Sequence, residues 1–407
     1  MRKQTKLTMI YRNYLLLLTV LTISCNSSDE GSDPITIPED FTQEAILREF
    51  DGRIDLTDLP NYSNQTVPSY INEDNTEGNE ITDAGAVLGR VLFYDNNLSS
   101  DNTISCSSCH KQEFAFGDDE VASIGVNGTT GRHSMRLVNA RFSNEENFFW
   151  DERASSLEDQ TTLPIQDHVE MGFSGQEGDP SFTDLINKLE EIDYYQELFT
   201  YVYGDPNVTE QRMQDALAQF IRSIQSFDSR YDEGRSRVND NDDNFPNFTA
   251  QENVGKDLYM ARPNFNNGTR VGGGLGCNAC HGAPEFDIDD DSDNNGIINT
   301  INGNGTDLTV TRSPSLRDLV NQNGEANGPF MHTGFSDDFM DVMDHYDDIN
   351  GNGNNNLDRR LRPMGSNGQD LNMTQAEKDA VFAFIKTLTG NNIYTDEKWS
   401  DPFDMID

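Results

Sequence analysis

Apolar residues recur at helical spacing in several separate stretches of the chain. The clearest stretch is 83–94, whose apolar side chains fall three and four positions apart. The same spacing predicts helices over six further segments: 39–50, 181–203, 209–227, 249–261, 336–346 and 374–389. No segment alternates apolar and polar residues for long enough to predict a strand. The pattern therefore predicts a mainly α protein with long irregular loops.

The most polar interval, 229–248, is rich in Asp and Asn and divides this pattern in two. We expect it to be an acidic linker between domains over 39–228 and 249–407. The second part repeats the plan of the first, because a predicted helix and a loop, here rich in Gly, again precede a cysteine motif.

The two cysteine motifs are C-x-x-C-H runs at 106–110 and 277–281. In such a run both thiols can form thioethers with one haem, and the imidazole can bind its iron. The sequence therefore predicts two covalent haem c groups. Cys106, Cys109, Cys277 and Cys280 would be their attachment points, and His110 and His281 would be iron ligands. Two other interpretations of these cysteine pairs explain the histidines less well. A thioredoxin-like redox site needs no His after the second Cys, and in a zinc site built from the two pairs the His that follows each pair would be a coincidence.

The N-terminal segment carries a targeting pattern. Basic residues, a short apolar run at 15–23 and then Ser24 and Cys25 predict a lipoprotein signal peptide over 1–24. Cys25 would become the lipidated N-terminus, followed by a flexible tether over 25–38. We therefore expect export to the periplasm or cell surface, with the lipid as the only membrane contact. The alternative is an ordinary cleaved signal peptide. The other four of the five cysteines belong to the haem motifs, so none is left for a disulfide.

The formal net charge of −42 argues against nucleic acid as a partner. A field of this sign would steer a basic protein, for example a small cytochrome c. Surface acid that keeps the chain soluble in a salty habitat is an equally good explanation.

Further landmarks follow one another in a distinctive order around the haem motifs. They are LGRVLFYD (88–95), GRHSM (131–135), FWDERA (149–154), PIQDHVEM (164–171), SPSLR (313–317) and GPFMHTG (328–334). Over about 88–389 this order resembles the bacterial di-haem cytochrome c peroxidase and MauG family. The resemblance implies two cytochrome c-like haem domains that reduce hydrogen peroxide with electrons from a cytochrome c or similar donor. The first haem would be peroxidatic and the second would transfer electrons.

The resemblance also assigns catalytic residues. Gln160, Pro164 and Glu170 keep the family's spacing for the pocket above the peroxidatic haem. A carboxylate in an apolar pocket can move the peroxide proton from one oxygen to the other, and an amide can hold the peroxide. Trp150 matches a tryptophan that the family places between its haems. Outside this context, Glu170 would be interpreted as a solvated acid and Trp150 as a core aromatic.

Two positions depart from the peroxidases of this family. The position of their iron-blocking histidine falls near Gly125, so we expect an open, five-coordinate first haem, as in the MauG branch. His133 replaces an asparagine of a calcium site whose other ligands would be carbonyls near Asn327 and Pro329. Imidazole is a poor calcium ligand, so either calcium is held differently or His133 has another role, such as haem ligation.

The second haem also lacks the usual methionine at its distal ligand position, where Tyr346 stands, as in the MauG branch. A phenolate would lower the potential of this haem relative to a thioether. Met343, His345 and Met364 are nearby alternatives. The sequence consequently leaves two other functions open: a MauG-like oxidase that modifies a protein side chain or aromatic substrate, and a non-catalytic electron-transfer cytochrome.

Overall fold

Helices form where the apolar periodicity predicts them, and long loops join them. The computed structural model describes residues 36–144, 147–287 and 292–403. Within these residues there are ten α-helices: α1 (Glu44–Glu49), α2 (Asp83–Tyr94), α3 (Leu157–Thr162), α4 (Phe182–Glu190), α5 (Asp193–Tyr203), α6 (Glu210–Ser223), α7 (Arg230–Arg235), α8 (Ala250–Met260), α9 (Phe339–Asp347) and α10 (Gln375–Ile385). The prediction of a mainly α protein is confirmed.

Helix ends follow the capping signals in the sequence. Thr249 and Thr374 each accept a hydrogen bond from the glutamate three residues later and open α8 and α10. The prediction of a single helix over 181–203 is wrong. The backbone of Ile192 is extended, and this residue separates α4 from α5.

Short strands are the main departure from the predicted pattern. They are β1 (Ile124–Gly125), β2 (Gly128–Thr129), β3 (Pro263–Asn266), β4 (Thr269–Gly273), β5 (Asp348–Ile349) and β6 (Gln369–Asp370). β1 and β2 form a hairpin, and the others form a sheet of order β3-β4-β6-β5 in which β4 and β6 are parallel. Strands of two to five residues are too short to show alternation.

The two halves use the same helix crossing. α2 packs across α6, and an added Cβ at Gly89 would lie 1.9 Å from the carbonyl oxygen of Ala216. α8 packs across α10, and a Cβ at Gly255 would lie 1.8 Å from the carbonyl oxygen of Ala380. Only glycine allows backbones to approach this closely. In each half, this crossing holds the helix that precedes the cysteine motif.

The hydrophobic cores do not follow the expected boundaries. Residues 229–248, expected to be a linker, include α7, and their Tyr231 and Phe245 are buried in the second core. Near the other end of the chain, Trp399 is buried in the first core, and its carbonyl accepts a hydrogen bond from the Tyr94 hydroxyl at 2.7 Å. Isolated aromatic residues in polar sequence gave no periodic signal for either segment.

The described residues from Ile37 onward belong to one unit. The predicted signal peptide, Cys25 and most of the tether lie outside the described residues. Among the helices that the structure describes, none has the length and apolar character needed to cross a membrane.

Candidate active site

The first cysteine motif forms a tight turn at the edge of a cavity. Cys106–Ser108 is a single 3₁₀ turn, and the backbone N–H of His110 donates to the carbonyl of Cys106 at 2.9 Å. Both thiols and the imidazole line a cavity of about 440 Å³, which we call the first cavity.

The orientation of the His110 ring is fixed by a turn. Ala115 and Phe116 both have left-handed backbones, with φ of 56° and 60°, and the carbonyl of Phe116 lies 3.1 Å from Nδ1 of His110. A carbonyl can only accept, so Nδ1 carries the proton and Nε2 keeps its lone pair for a metal.

The second motif repeats this arrangement. Cys277–Ala279 forms a 3₁₀ turn, and Nδ1 of His281 lies 3.1 Å from the carbonyl oxygen of Pro314. The thiols of Cys277 and Cys280 and the His281 ring line a cavity of about 720 Å³, the second cavity.

Each cavity therefore offers two thiols and one imidazole nitrogen to a single ligand. The thiols are neutral, because burial raises the pKa of Cys106 and of Cys277 to about 12. This donor set fits a covalently attached haem, with His110 or His281 as the iron ligand. Among the described residues, no group of three or more His, Cys, Asp or Glu side chains forms a separate metal site.

Gln160 and Pro164 line the first cavity together with His110. Gln160 lies on α3, whose first turn is capped by the hydroxyl of Ser156. An ion pair between Glu158 on α3 and Arg222 on α6, with Nη2 3.1 Å from Oε2, anchors the helix to the first core.

Glu170 lines the same cavity from a tight turn. The Asp167 carboxylate accepts hydrogen bonds from the backbone N–H groups of Val169 and Glu170, at 2.8 and 3.1 Å. Burial, and to a lesser extent the charge of Asp167, raise the pKa of Glu170 to about 7, while Arg153 opposes the shift. The side chain can therefore accept or release a proton near neutral pH.

The β1–β2 hairpin packs against this turn. The backbone N–H of Val126 donates to the Glu170 carbonyl at 3.0 Å, and the backbone N–H of Asn127 donates to the Val169 carbonyl at 3.2 Å. A Cβ at Gly125 would lie 2.2 Å from the Val169 carbonyl oxygen and 2.8 Å from Cα of Glu170. Gly125, the position nearest to the missing blocking histidine, therefore has no room for a side chain.

Trp150 lies in the wall between the two cavities and lines both. Its indole N–H donates to the carbonyl of His133 at 2.7 Å, and its own carbonyl accepts from the N–H of Arg312 at 2.8 Å. The bond from Arg312 joins the second half of the chain to the first half at this residue.

Tyr346 and Met343 both line the second cavity from α9. Burial raises the pKa of the Tyr346 phenol. Nε2 of His345 lies 3.0 Å from the carbonyl oxygen of Asn295, and Met364 is 99% exposed. Of the four distal ligands left open by the sequence, the structure brings only Tyr346 and Met343 to this cavity.

The three residues of the expected calcium site lie in two neighbouring segments. Nδ1 of the His133 ring lies 2.9 Å from the Glu120 carbonyl oxygen. The backbone N–H of His133 donates to the His332 carbonyl at 2.9 Å. The Asn327 amide donates to the Asp318 carbonyl at 2.8 Å, and Pro329 lines the second cavity. Burial lowers the pKa of His133 to about 4, so its ring is neutral.

Arg136 is a site residue that the sequence did not single out. It lines both cavities, next to His133 and Trp150. A comparison of the two halves of the sequence could have found it. Ser134-Met135-Arg136 in the first half corresponds to Ser313-Pro314-Ser315 in the second, and the second segment has no arginine.

Comparison with known proteins gives consistent likenesses. A model of the family described as "Di-haem cytochrome c peroxidase" matches residues 83–240. The "Methylamine utilization protein MauG" of Methylophilus methylotrophus is 27% identical over 321 residues, which are 77% of this chain and 84% of that protein. The "Cytochrome c551 peroxidase" of Nitrosomonas europaea is 26% identical over 320 residues, 75% of this chain and 80% of that protein.

A similar fold is found among solved structures. The crystal structure of "a MauG-like protein associated with microbial copper homeostasis" matches with a TM-score of 0.64 and 26% sequence identity. The match covers 84% of this chain and 99% of that one.

Proposed function

This chain belongs to the di-haem cytochrome c peroxidase and MauG family, and we propose from that premise that it reduces hydrogen peroxide in the first cavity. The observation that carries the proposal is that Glu170 and Gln160 line the same cavity as His110. Hydrogen peroxide and a small electron-donor protein such as a basic cytochrome c are the proposed partners, in keeping with the names of the peroxidase relatives.

Haem attached to Cys106 and Cys109 and ligated by His110 would supply an iron centre that exchanges electrons with peroxide. A second haem would be held by Cys277, Cys280 and His281. The reaction consumes one hydrogen peroxide, two electrons and two protons and forms two water molecules. The residues around the first cavity must therefore bind a small polar substrate and move protons between its oxygens.

Glu170 is the proposed proton carrier. Its carboxylate takes a proton from one oxygen of the peroxide and returns it to the other, which leaves as water when the O–O bond breaks. A pKa of about 7 suits both steps, because the group gives up the proton as readily as it accepts it at neutral pH. The amide of Gln160 holds the peroxide by hydrogen bonds during this transfer.

Gly125 supports a permanently open first cavity. A histidine that blocks an iron would need room at or near this position, and the Val169 carbonyl leaves no space for a Cβ there. The hairpin instead supports the turn that carries Glu170. We infer that the peroxide site needs no activation step that removes a ligand.

Electrons would reach the first cavity from the second through Trp150. Its indole lines both cavities, and its hydrogen bond to His133 fixes the ring in the shared wall. An aromatic ring in this position shortens the distance that an electron crosses between the two haems.

Tyr346 favours a second function, that of a MauG-like oxidase that modifies a protein side chain or an aromatic substrate. A Tyr346 ligand would give the second haem a low potential, suited to sharing oxidising equivalents rather than storing an electron. Met343 as the ligand would favour the peroxidase. Potentiometric titration distinguishes them: one high-potential haem supports the peroxidase, and two low-potential haems support the oxidase.

Three finer assignments complete the proposal. The protein acts in the periplasm or at the cell surface, anchored through lipid on Cys25. Calcium near His133, Asn327 and Pro329 would be held mainly by backbone carbonyls, because the Asn327 amide already donates to Asp318. The negative charge of the chain suits a basic electron donor.

The test is Glu170→Gln, which keeps the shape of the side chain and removes its acid–base function. Peroxide turnover of the protein with both haems should fall about 10²–10⁴-fold, the usual contribution of a general acid–base group. Glu177→Gln is the matched control, because Glu177 follows in the same loop and its side chain is 72% exposed. Full turnover in Glu170→Gln would remove the catalytic assignment. A ferric spectrum without any high-spin haem would favour a simple electron-transfer cytochrome.

A further inference from the structure

Arg136 occupies the wall between the two cavities and lines both of them. Arg153 lines the first cavity and Arg262 the second, and both are exposed. Arg312 also lines both cavities, but it pairs with Asp287, with Nη2 3.6 Å from Oδ2. Arg136 is set apart because it borders both cavities and takes part in none of the ion pairs of the described residues.

The guanidinium of Arg136 lacks a close anionic partner. Its one hydrogen bond runs from Nη2 to the carbonyl of Ser315 at a long 3.4 Å, and its buried Nε has no acceptor. Arg132, a neighbour in the same segment, instead pairs with Asp151 and Asp307 at 2.7 Å each. Among the ion pairs of the described residues, none includes Arg136.

The buried acid Asp318 attracts Arg136, but no ion pair of the described residues joins the two side chains. Oδ1 of Asp318 instead accepts hydrogen bonds from the backbone N–H of Gly390 at 2.8 Å and the hydroxyl of Tyr394 at 3.1 Å. Burial lowers the pKa of Arg136 to about 10, which still leaves it charged at neutral pH. A buried charge without a partner costs several kcal/mol, so this site is built for an anion that arrives with a ligand.

The internal repeat explains why one arginine would serve two sites. Pro314, whose carbonyl orients His281, corresponds to Met135, whose backbone contacts His110. Arg136 follows Met135, and Ser315 follows Pro314 at the matching position. Arg136 reaches across to the backbone of Ser315, so the first half supplies a cation at the position where the second half has a serine.

We propose that Arg136 is the shared counter-ion of the propionate carboxylates of both haems and that its charge raises both reduction potentials. Reduction adds an electron to each haem, and a nearby positive charge stabilises the reduced form. Removing the charge should therefore make both haems harder to reduce. The proposal depends on the presence of two haems but not on peroxide as the substrate.

The test is spectroelectrochemical titration of the full-length protein with both haems bound, comparing Arg136→Gln with Arg136→Lys. Arg136→Gln should lower the equilibrium constant for reduction of each haem by tenfold or more, or about 59 mV for a one-electron couple. Arg136→Lys, which keeps the charge, should stay within about threefold of the original chain. Resonance Raman bands of the propionates should shift in Arg136→Gln and not in the controls.

Arg153→Gln and Arg262→Gln are the matched controls. Each removes one exposed charge from one cavity, so each should shift one haem only, and by less than tenfold. A shift of a single potential in Arg136→Gln, or of neither, would overturn the shared role. If Arg136→Gln fails to bind both haems, Arg136→Lys decides: unchanged potentials support the proposal, and a tenfold fall in both contradicts it. The potentials are measured without peroxide, so they do not depend on the peroxidase proposal. A failure of that proposal would appear separately, as absent peroxide turnover in a protein whose haem potentials behave as expected.

Discussion

Asp167→Asn provides a sharp test of the proton chemistry assigned to Glu170. Asp167 both orients the Glu170 turn and contributes to its raised pKa. Asparagine keeps the side-chain oxygen that accepts from Val169 and Glu170 and removes only the charge. The substitution should therefore lower the pKa of Glu170 while it leaves the turn in place.

The expected change in kcat/KM follows from the fraction of Glu170 that is ionised at each pH. With a pKa of about 7, Glu170 is about 9% ionised at pH 6. A like charge a few ångströms away, on an exposed side chain such as Asp167, shifts a pKa by about one unit, equivalent to about 1.4 kcal/mol. Glu170 would then be about half ionised at pH 6, so kcat/KM for peroxide should rise about fivefold there and stay unchanged at pH 9.

The assay is the pH dependence of kcat/KM between pH 5 and 9. Because the reactive form is the carboxylate, activity should fall as the pH drops through the pKa of Glu170. Glu177→Gln removes a charge from the same loop and should leave the inflection where it is. The reasoning is refuted if Asp167→Asn leaves the inflection near pH 7, or if Glu170→Gln retains the same inflection.

Two further substitutions test the hairpin and the second cavity. Gly125→Ala should displace the β1–β2 hairpin from Glu170 and lower peroxide turnover at least tenfold, because its Cβ would lie 2.2 Å from the Val169 carbonyl. Gly131→Ala, which meets nothing within 4 Å, is the control, and equal turnover in both variants would argue against a supporting role. Tyr346→Met should raise the potential of the second haem in spectroelectrochemistry. No change there, together with a shift in Met343→Leu, would identify Met343 as the ligand.

The sequence predicted features that depend on local spacing. The bounds of α2 match the predicted 83–94, because every turn of that helix carries a buried apolar residue. Glu170 and Gln160 reach the same cavity as His110, as their fixed spacing in the family implied. α3 and the following turn place both residues within a short segment, so few distant contacts were needed to foresee this grouping.

Features built from distant segments could not be predicted in the same way. β4 and β6 pair between Thr269 and Asp370, about a hundred positions apart, and neither strand is long enough to show a pattern. Arg136 looked like any surface arginine, because its position in the wall depends on both halves folding against each other. Single-sequence periodicity carries no information about such contacts.

The burial of Trp399 in the first core has a consequence for the order of folding. The hydroxyl of Tyr94 binds a carbonyl 305 positions further along the chain, and Nε of Arg90 binds one 310 positions further along. Contacts that span such distances form late, since the intervening chain must first be ordered. The half of the protein that emerges first during synthesis therefore completes its core last. Until then, the helix that precedes the first haem motif lacks part of its packing, and both haem motifs have already been made by the time that core closes.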